Sequence, residues 1–221
     1  WQEEYWENVD TADLPVILAK TPSGADVIVD VELPGRTIKV RVWEMHVGRV
    51  PLYLMDTNLE SNSPQDRTLT ARLYSSDLDV RITQEIVLGI GGVRTLRAMN
   101  IHPKAWHMNE GHSAFTIFER TAELVKAEYT FDAAAENVRA TTVFTTHTPV
   151  PAGNEAFPLW IMDKYFPHYW ERMGLDRDRF LNLALIEPPW GSAFSMPTLA
   201  LRFAEHRNAV SELHGKGSRE M

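Results

Sequence analysis

Cysteine is absent from the 221 residues. That excludes disulfides, thiolate nucleophiles and cysteine-ligated metals, fits a reducing compartment, and leads us to expect a cytoplasmic location. Long apolar runs are absent too. Nothing approaches the ~20 residues that a membrane-spanning helix needs, and no signal-peptide pattern is present. Positive charge is in deficit: 22 Lys and Arg against 30 Asp and Glu give a net charge of −8. A phosphate backbone is bound through a basic field, so the acidic balance argues against nucleic acid as the main partner, whereas a neutral polysaccharide is permitted. There is no G-x-S-x-G elbow for a serine hydrolase, no internal repeat and no low-complexity tract. The chain opens at Trp1 in WQEEYWE and closes in GKGSREM. Both ends read as cut, and a fragment is expected.

What is present is a change of period along the chain. Residues 25–55 form a strand region. ADVIVDVEL and TIKVRVWEMHV alternate apolar and polar positions across Pro34-Gly35, the pattern of a half-buried hairpin. A third apolar run, Val50 to Met55, opens into Asp56-Thr57-Asn58. From Asp79 the apolar residues Ile82, Ile86, Ile90 and Val93 recur at helical steps. Gly89, Gly91 and Gly92 interrupt this pattern, each costing up to about 1 kcal/mol in a helix, so another backbone is expected to approach closely there. A phosphate loop needs a strand before its glycines and a helix after them, whereas GIGG sits inside the helical pattern. A strand–helix rhythm then fills 78–214. A strand at 105–108 ends at Asn109-Glu110-Gly111-His112, and Ser113 is read as the cap of a helix running to Lys126. A helix at 132–140 and a β-branched strand, Thr141 to Thr145, end at Thr146-His147-Thr148. PVPAGNEAFP reads as an irregular loop. Helices are expected at about 159–173, 176–186 and 195–214, the last broken near Arg207-Asn208. The expected fold class is therefore α/β, a Rossmann-like parallel sheet with flanking helices. In such sheets ligands bind beyond the carboxyl ends of the strands. Asp56 and Asn58, the 109–112 turn, and Thr146-His147 would share one crevice if their strands were parallel neighbours. That mixture of carboxylates, amides and imidazoles suits hydroxyl groups better than phosphates.

Each candidate group has a plainer reading. In HMNEGH the spacing is His-x-x-Glu-x-His, which misses the His-x-x-Glu-His of a zinc helix, so no metal site is expected. His107 reads as a core histidine. Glu110 and His112 lie in the turn that faces the crevice. His147 is compatible with a structural role or with a sugar contact, since its ring can donate and accept at once, and spacing alone leaves both open. Asp56 and Glu110 could serve as paired acids, but no feature requires it. Trp160, Tyr165, Phe166, Tyr169 and Trp170 have helical spacing and read as core rather than as a stacking platform. Arg177, Asp178 and Arg179 read as a solvated charge run.

RVPLYLMDTN, DRTLTARLYSSDLDVRITQEIVLGIGGVRTLRAM, HMNEGHSAFTIFER, FTTHTPVPAGNEAFP and FSMPTLALRFAEHRNAVSELHGKGSREM together resemble the α-glucan (glycogen, starch and maltodextrin) phosphorylases. The likeness is strongest to the shorter bacterial and archaeal branch and covers about residues 36–221. It implies part of the N-terminal domain of a two-domain B-type glycosyltransferase that phosphorolyses α-1,4-glucan to glucose 1-phosphate, using pyridoxal 5′-phosphate. By the same resemblance His147 is the catalytic position that holds the glucosyl unit near its 6-hydroxyl. Asn109, Glu110 and His112 match an Asn-Asp-x-His motif bordering the sugar pocket, with Glu110 for Asp and Gly111 for Thr. Asp56 and Asn58 fall near a mobile gate loop and complete the implied substrate-binding set. The Schiff-base lysine and the phosphate-holding basic residues belong to the C-terminal half of the family, and the lysines here match no cofactor motif. No cofactor-binding residue is therefore expected in this chain, and the fragment alone is expected to be inactive. The implied partners are the glucan, inorganic phosphate and the remainder of the polypeptide, and a homo-oligomer is compatible with the family. A free-standing carbohydrate-binding module and a metal-dependent hydrolase are the rival readings.

Overall fold

A computed structural model of the chain describes residues 10–72, 77–147 and 155–219. The alternating segments form an antiparallel sheet. Strands β1 (Ile17–Leu18) and β2 (Ile28–Leu33) lie in succession along one edge of the long β3 (Arg36–Val47), and β4 (Val50–Asp56) pairs with its other edge. The hairpin turns at Pro34-Gly35, where Gly35 takes the positive φ of 71° that glycine adopts without a Cβ penalty. Val29, Val31, Leu33, Ile38, Val40 and Val42 all point inward and are buried, as a period of two requires.

The inner face of this sheet rests on one helical rod. It comprises α1 (Leu78–Ile86), a single π turn over Val87–Gly91, and α2 (Gly92–Ala98). The Asp77 carboxylate caps it, accepting the N–H groups of Asp79 at 2.9 Å and Val80 at 3.0 Å. The expected close approach is present. A Cβ added at Gly89 would meet the Cβ of Phe115 at 2.8 Å and the amide N of Thr116 at 2.9 Å, while one at Gly91 would meet Val31 at 3.2 Å. Gly92 faces open space. The rod is thus wedged between the hairpin and α3 (Thr116–Lys126). Arg94 ties the layers electrostatically. It donates to the Glu32 carboxylate at 2.6 Å, the Asp30 carbonyl at 2.6 Å and the buried Glu119 carboxylate at 2.9 Å.

The second half is the strand–helix region. Strands β5 (Trp106–Asn109) and β6 (Thr142–Thr146), linked through α3 and α4 (Phe131–Ala140), pair in parallel. Beyond them α5 (Leu159–Tyr165), α6 (Pro167–Arg172) and α7 (Arg177–Asn182) surround a small antiparallel sheet of β7 (Ala156–Pro158), β9 (Ala193–Ser195) and β8 (Leu185–Ile186). After α8 (Met196–Arg202), β10 (His206–Ala209) joins β6 in parallel, and α9 (Glu212–Ser218) ends the described chain. Phe115, Phe118, Phe166, Phe180 and Phe194 are fully buried and meet ring to ring, with Phe118 and Phe180 centroids 4.8 Å apart.

Several expectations need correction. The stretch 195–214 is not one helix, because β10 interrupts it where a break was expected and completes the parallel sheet. HRNA has no strand-like pattern, so only long-range pairing to β6 makes it a strand. The 159–173 helix divides before Pro167, which lacks the N–H needed to continue it, and 176–186 ends in β8. Residues 156–158 of the proline loop are strand. Ser113 is not a helix cap: a short 3₁₀ turn spans Gly111–Ser113, and α3 starts at Thr116 without a side-chain cap. His107 is not in the core, since it lies on the exposed face of the parallel sheet with its Nε2 2.7 Å from Thr145 Oγ1. Tyr165, Phe166 and Tyr169 are buried as expected, whereas Trp160 is 56% exposed.

Candidate functional site

The C-terminal ends of β5 and β6 lie side by side, because Asn109 is paired in register with Thr145. The ladder continues one step, with Glu110 N–H donating to the Thr145 carbonyl at 3.0 Å. The chain then turns sharply. Glu110 has φ 62° and ψ −176°, a region that is costly for any residue with a Cβ. Gly111 follows against the start of α8, where a Cβ would meet Met196 Cβ at 3.0 Å and Pro197 N at 3.2 Å. The turn therefore needs glycine at 111 and holds strain at 110.

That strain places the Glu110 carboxylate inside the molecule, 6% exposed, where it accepts the backbone N–H of His147. Glu110 thus fastens the two strand-end turns together. Asn109 and the His147 side chain remain exposed at the carboxyl ends of the strands. Of the residues singled out from sequence, the structure brings together Asn109, Glu110, His112 and His147. It does not add Asp56 and Asn58 to that group. Their strand, β4, is antiparallel to β3 and lies in the other sheet, so the premise of three parallel neighbours fails. Asp56 accepts from Arg41 at 2.9 Å and from the Trp43 indole at 3.1 Å, which with the Asn58 N–H holds its carboxyl below the usual range despite burial. Asp56 and Asn58 line a separate cavity with Trp43, Met55 and Arg67, in which none of the four turn residues takes part.

Behind the turn is a charge cluster that sequence reading passed over. His112 Nδ1 lies 2.9 Å from Arg81 Nη2 and 3.7 Å from carboxylate oxygens of both Glu85 and Glu155. Arg81 grips Glu155 in two bonds of 2.6 and 2.7 Å, and its Nη2 is 3.2 Å from the buried Glu85. Burial pushes the Glu85 carboxyl up to about 9. Burial also works against the charged form of Glu155, but His112 and Arg81 outweigh it and hold that carboxyl well below the usual range. The carboxylates of Glu155 and Glu85 raise the His112 imidazole to about 9. Nδ1 cannot accept from Arg81 and donate to a carboxylate at the same moment. The Glu85 and Glu155 carboxylates titrate as a pair, with the proton on Glu85 and the negative charge on Glu155. The ligand atoms of Glu85, His112 and Glu155 lie within 4.8 Å of one another, a spacing that could hold a metal ion. The Arg81 guanidinium already contacts both carboxylates and would repel a second cation there. In the sequence Arg81 and Glu85 show only as a helical i, i+4 pair, and Glu155 lies within the proline loop, next to residues 148–154, which are outside the described residues.

No family model matches the chain. Curated proteins do. It is 42% identical over 220 residues to a maltodextrin phosphorylase of Thermococcus litoralis, covering 100% of this chain and 26% of that protein. It is 42% identical over 234 residues to a glycogen phosphorylase of Mycobacterium tuberculosis, covering 100% of this chain and 27% of that protein. A glycogen phosphorylase of Aquifex aeolicus is 33% identical over 221 residues, covering 100% of this chain and 32% of that protein. The chain therefore spans about a quarter to a third of the length of the curated relatives it matches.

Proposed function

Because this chain belongs to the phosphorylase family, we propose that it supplies the glucosyl-holding turns of a complete α-glucan phosphorylase. That enzyme is a glycosyltransferase acting on α-1,4-glucan and inorganic phosphate, with the two-domain B-type architecture and a cytoplasmic location. The observation that carries this reading is the bond from the His147 N–H to the buried Glu110 carboxylate. It fixes two turns at the carboxyl ends of adjacent parallel strands, where α/β sheets bind ligands. The exposed Asn109 amide and His147 imidazole can each donate and accept, which matches a sugar hydroxyl. Glu110 is spent on positioning and gives His147 a fixed backbone. His112, set by Arg81, Glu85 and Glu155, lends polarity to the same turn. Holding the glucosyl unit in one orientation as charge develops at its anomeric carbon is the contribution of these groups.

Pyridoxal 5′-phosphate would supply phosphate-mediated proton transfer in the complete enzyme. The residues here do not fit that cofactor: all six lysines are exposed, and Lys20, Lys39, Lys164 and Lys216 are ion-paired to surface carboxylates. A Schiff-base lysine sits instead in a pocket with a lowered pKa, so no step is assigned to the cofactor through this chain. The test uses the complete enzyme. His147→Ala should lower kcat/KM for maltooligosaccharide phosphorolysis at least tenfold, about 1.4 kcal/mol. Unchanged turnover would remove His147 from the site.

A further inference from the structure

At the opposite end of the parallel sheet, where β5 and β6 begin, lies a cleft of about 410 Å³ lined by Arg97, Lys104, Trp106, Arg120, Glu123 and Thr141, among others. Its floor is unusual. Arg120 is only 5% exposed. It donates to Thr142 Oγ1 at 2.8 Å, Thr141 Oγ1 at 2.6 Å and, more weakly, the Val138 carbonyl at 3.4 Å. All three acceptors are neutral. Among the described residues no carboxylate lies within ion-pair distance of this guanidinium. The nearby Glu123 is already engaged, accepting from Arg97 Nε at 3.1 Å and Nη2 at 2.9 Å.

Other buried or half-buried charges are treated differently. Arg81 meets two glutamates, Arg94 meets Glu32 and Glu119, and Asp66 meets Arg36. A buried charge without an ionic partner is costly. Burial, followed by the repulsion of Arg97, pulls the Arg120 pKa down to about 10. The Trp106 ring offers only partial compensation, with Arg120 4.6 Å and Arg97 5.6 Å from its centroid. Exposed Lys104 stands at the mouth and forms no ion pair among the described residues. The cleft thus holds three cations against one anion, in a chain of net charge −8. These three bonds occupy three of the five N–H groups that a guanidinium carries. Those that remain suit an oxyanion.

We propose that this cleft is a binding site for a small oxyanion, a phosphate or carboxylate group, held by Arg120 and Lys104 beside the Trp106 ring. It lies at the other end of the strands from the sugar-holding turns and stands independently of that reading. The test is thermal stability of the complete phosphorylase polypeptide, titrated at constant ionic strength with inorganic sulfate and, separately, with acetate. Lys104→Glu changes only the exposed mouth, and Arg120→Met removes the buried charge. Each should weaken the midpoint of stabilisation by sulfate, acetate or both at least tenfold. Loss of the sulfate response marks a tetrahedral oxyanion, and loss of the acetate response marks a carboxylate. If Arg120→Met does not fold, the Lys104→Glu comparison decides. Midpoints equal to wild type for both anions would overturn the proposal, and a carboxylate from elsewhere in the polypeptide would then be what meets Arg120.

Discussion

Glu110 shows how a single residue can be read correctly in place and incompletely in role. Its position at the end of a strand, facing the crevice, is legible from the short run AWHM and the turn that follows. Its work is to accept the His147 N–H from a strained backbone, and this depends on the register of β5 with β6, which no local pattern encodes. Arg81, Glu85 and Glu155 were missed for a related reason. On paper they are charged residues on a helix and a loop, and only the fold buries them against His112. This cluster carries a pH signature. The folded pKa values of Glu85 and His112 both stand at about 9, above ordinary values of 4.5 and 6.5. The folded state therefore binds more protons than the unfolded chain between those limits. The resulting stability is complete below the unfolded values and is lost as pH rises toward 9. The melting temperature of the complete enzyme should fall from about pH 5 to about pH 9, and Glu85→Gln should flatten that fall. An identical slope in the variant would show that the proton resides elsewhere.

Among elements, the hairpin was the most legible, because a period of two with a Pro-Gly turn has one reading and its register follows. The glycine-bearing rod was legible as a helix with a crowded face. Which glycine is crowded was not, since that depends on where α3 and the hairpin lie. The structure separates them. Gly89→Ala drives a Cβ into backbone atoms of Phe115 and Thr116 at 2.9 Å, and overpacking of this kind should destabilise by about 1–3 kcal/mol. Gly92→Ala meets nothing within 4 Å and should stabilise by up to about 1 kcal/mol through helix propensity. Denaturant melts of the two variants in the complete enzyme should move in opposite directions, and a shift of the same sign in both would refute the packing. β10 lies at the other extreme. His206 to Ala209 is a strand only because β6 offers an edge, and tertiary pairing overrode a sequence that read as helix.

Across the whole molecule, the hairpin sheet is joined to the strand–helix half through the rod and through Arg94, which reaches the hairpin on one side and the buried Glu119 of α3 on the other. Arg94→Met keeps the aliphatic stem but leaves Glu119 with Arg172 at 3.4 Å as its one cation among the described residues. It should cost about 3 kcal/mol, because a buried partner is stranded, and a melting temperature equal to wild type would show that the link carries little. The parallel sheet has one face lined by Met108 and Phe144 in the core, while His107, Asn109, His206 and Asn208 lie exposed on the other. The α/β class was legible from the strand–helix rhythm. The separation of the hairpin sheet from the parallel sheet was not, and it is what keeps Asp56 and Asn58 apart from the turns at 109–112 and 147. Whether those turns hold a sugar is answered most directly by the structure of the complete phosphorylase bound to a maltooligosaccharide. The expected result is a glucosyl hydroxyl within hydrogen-bond distance of the His147 ring, with the Glu110 carboxylate still accepting the His147 N–H. A glucan bound elsewhere, with both turns covered by protein, would contradict it.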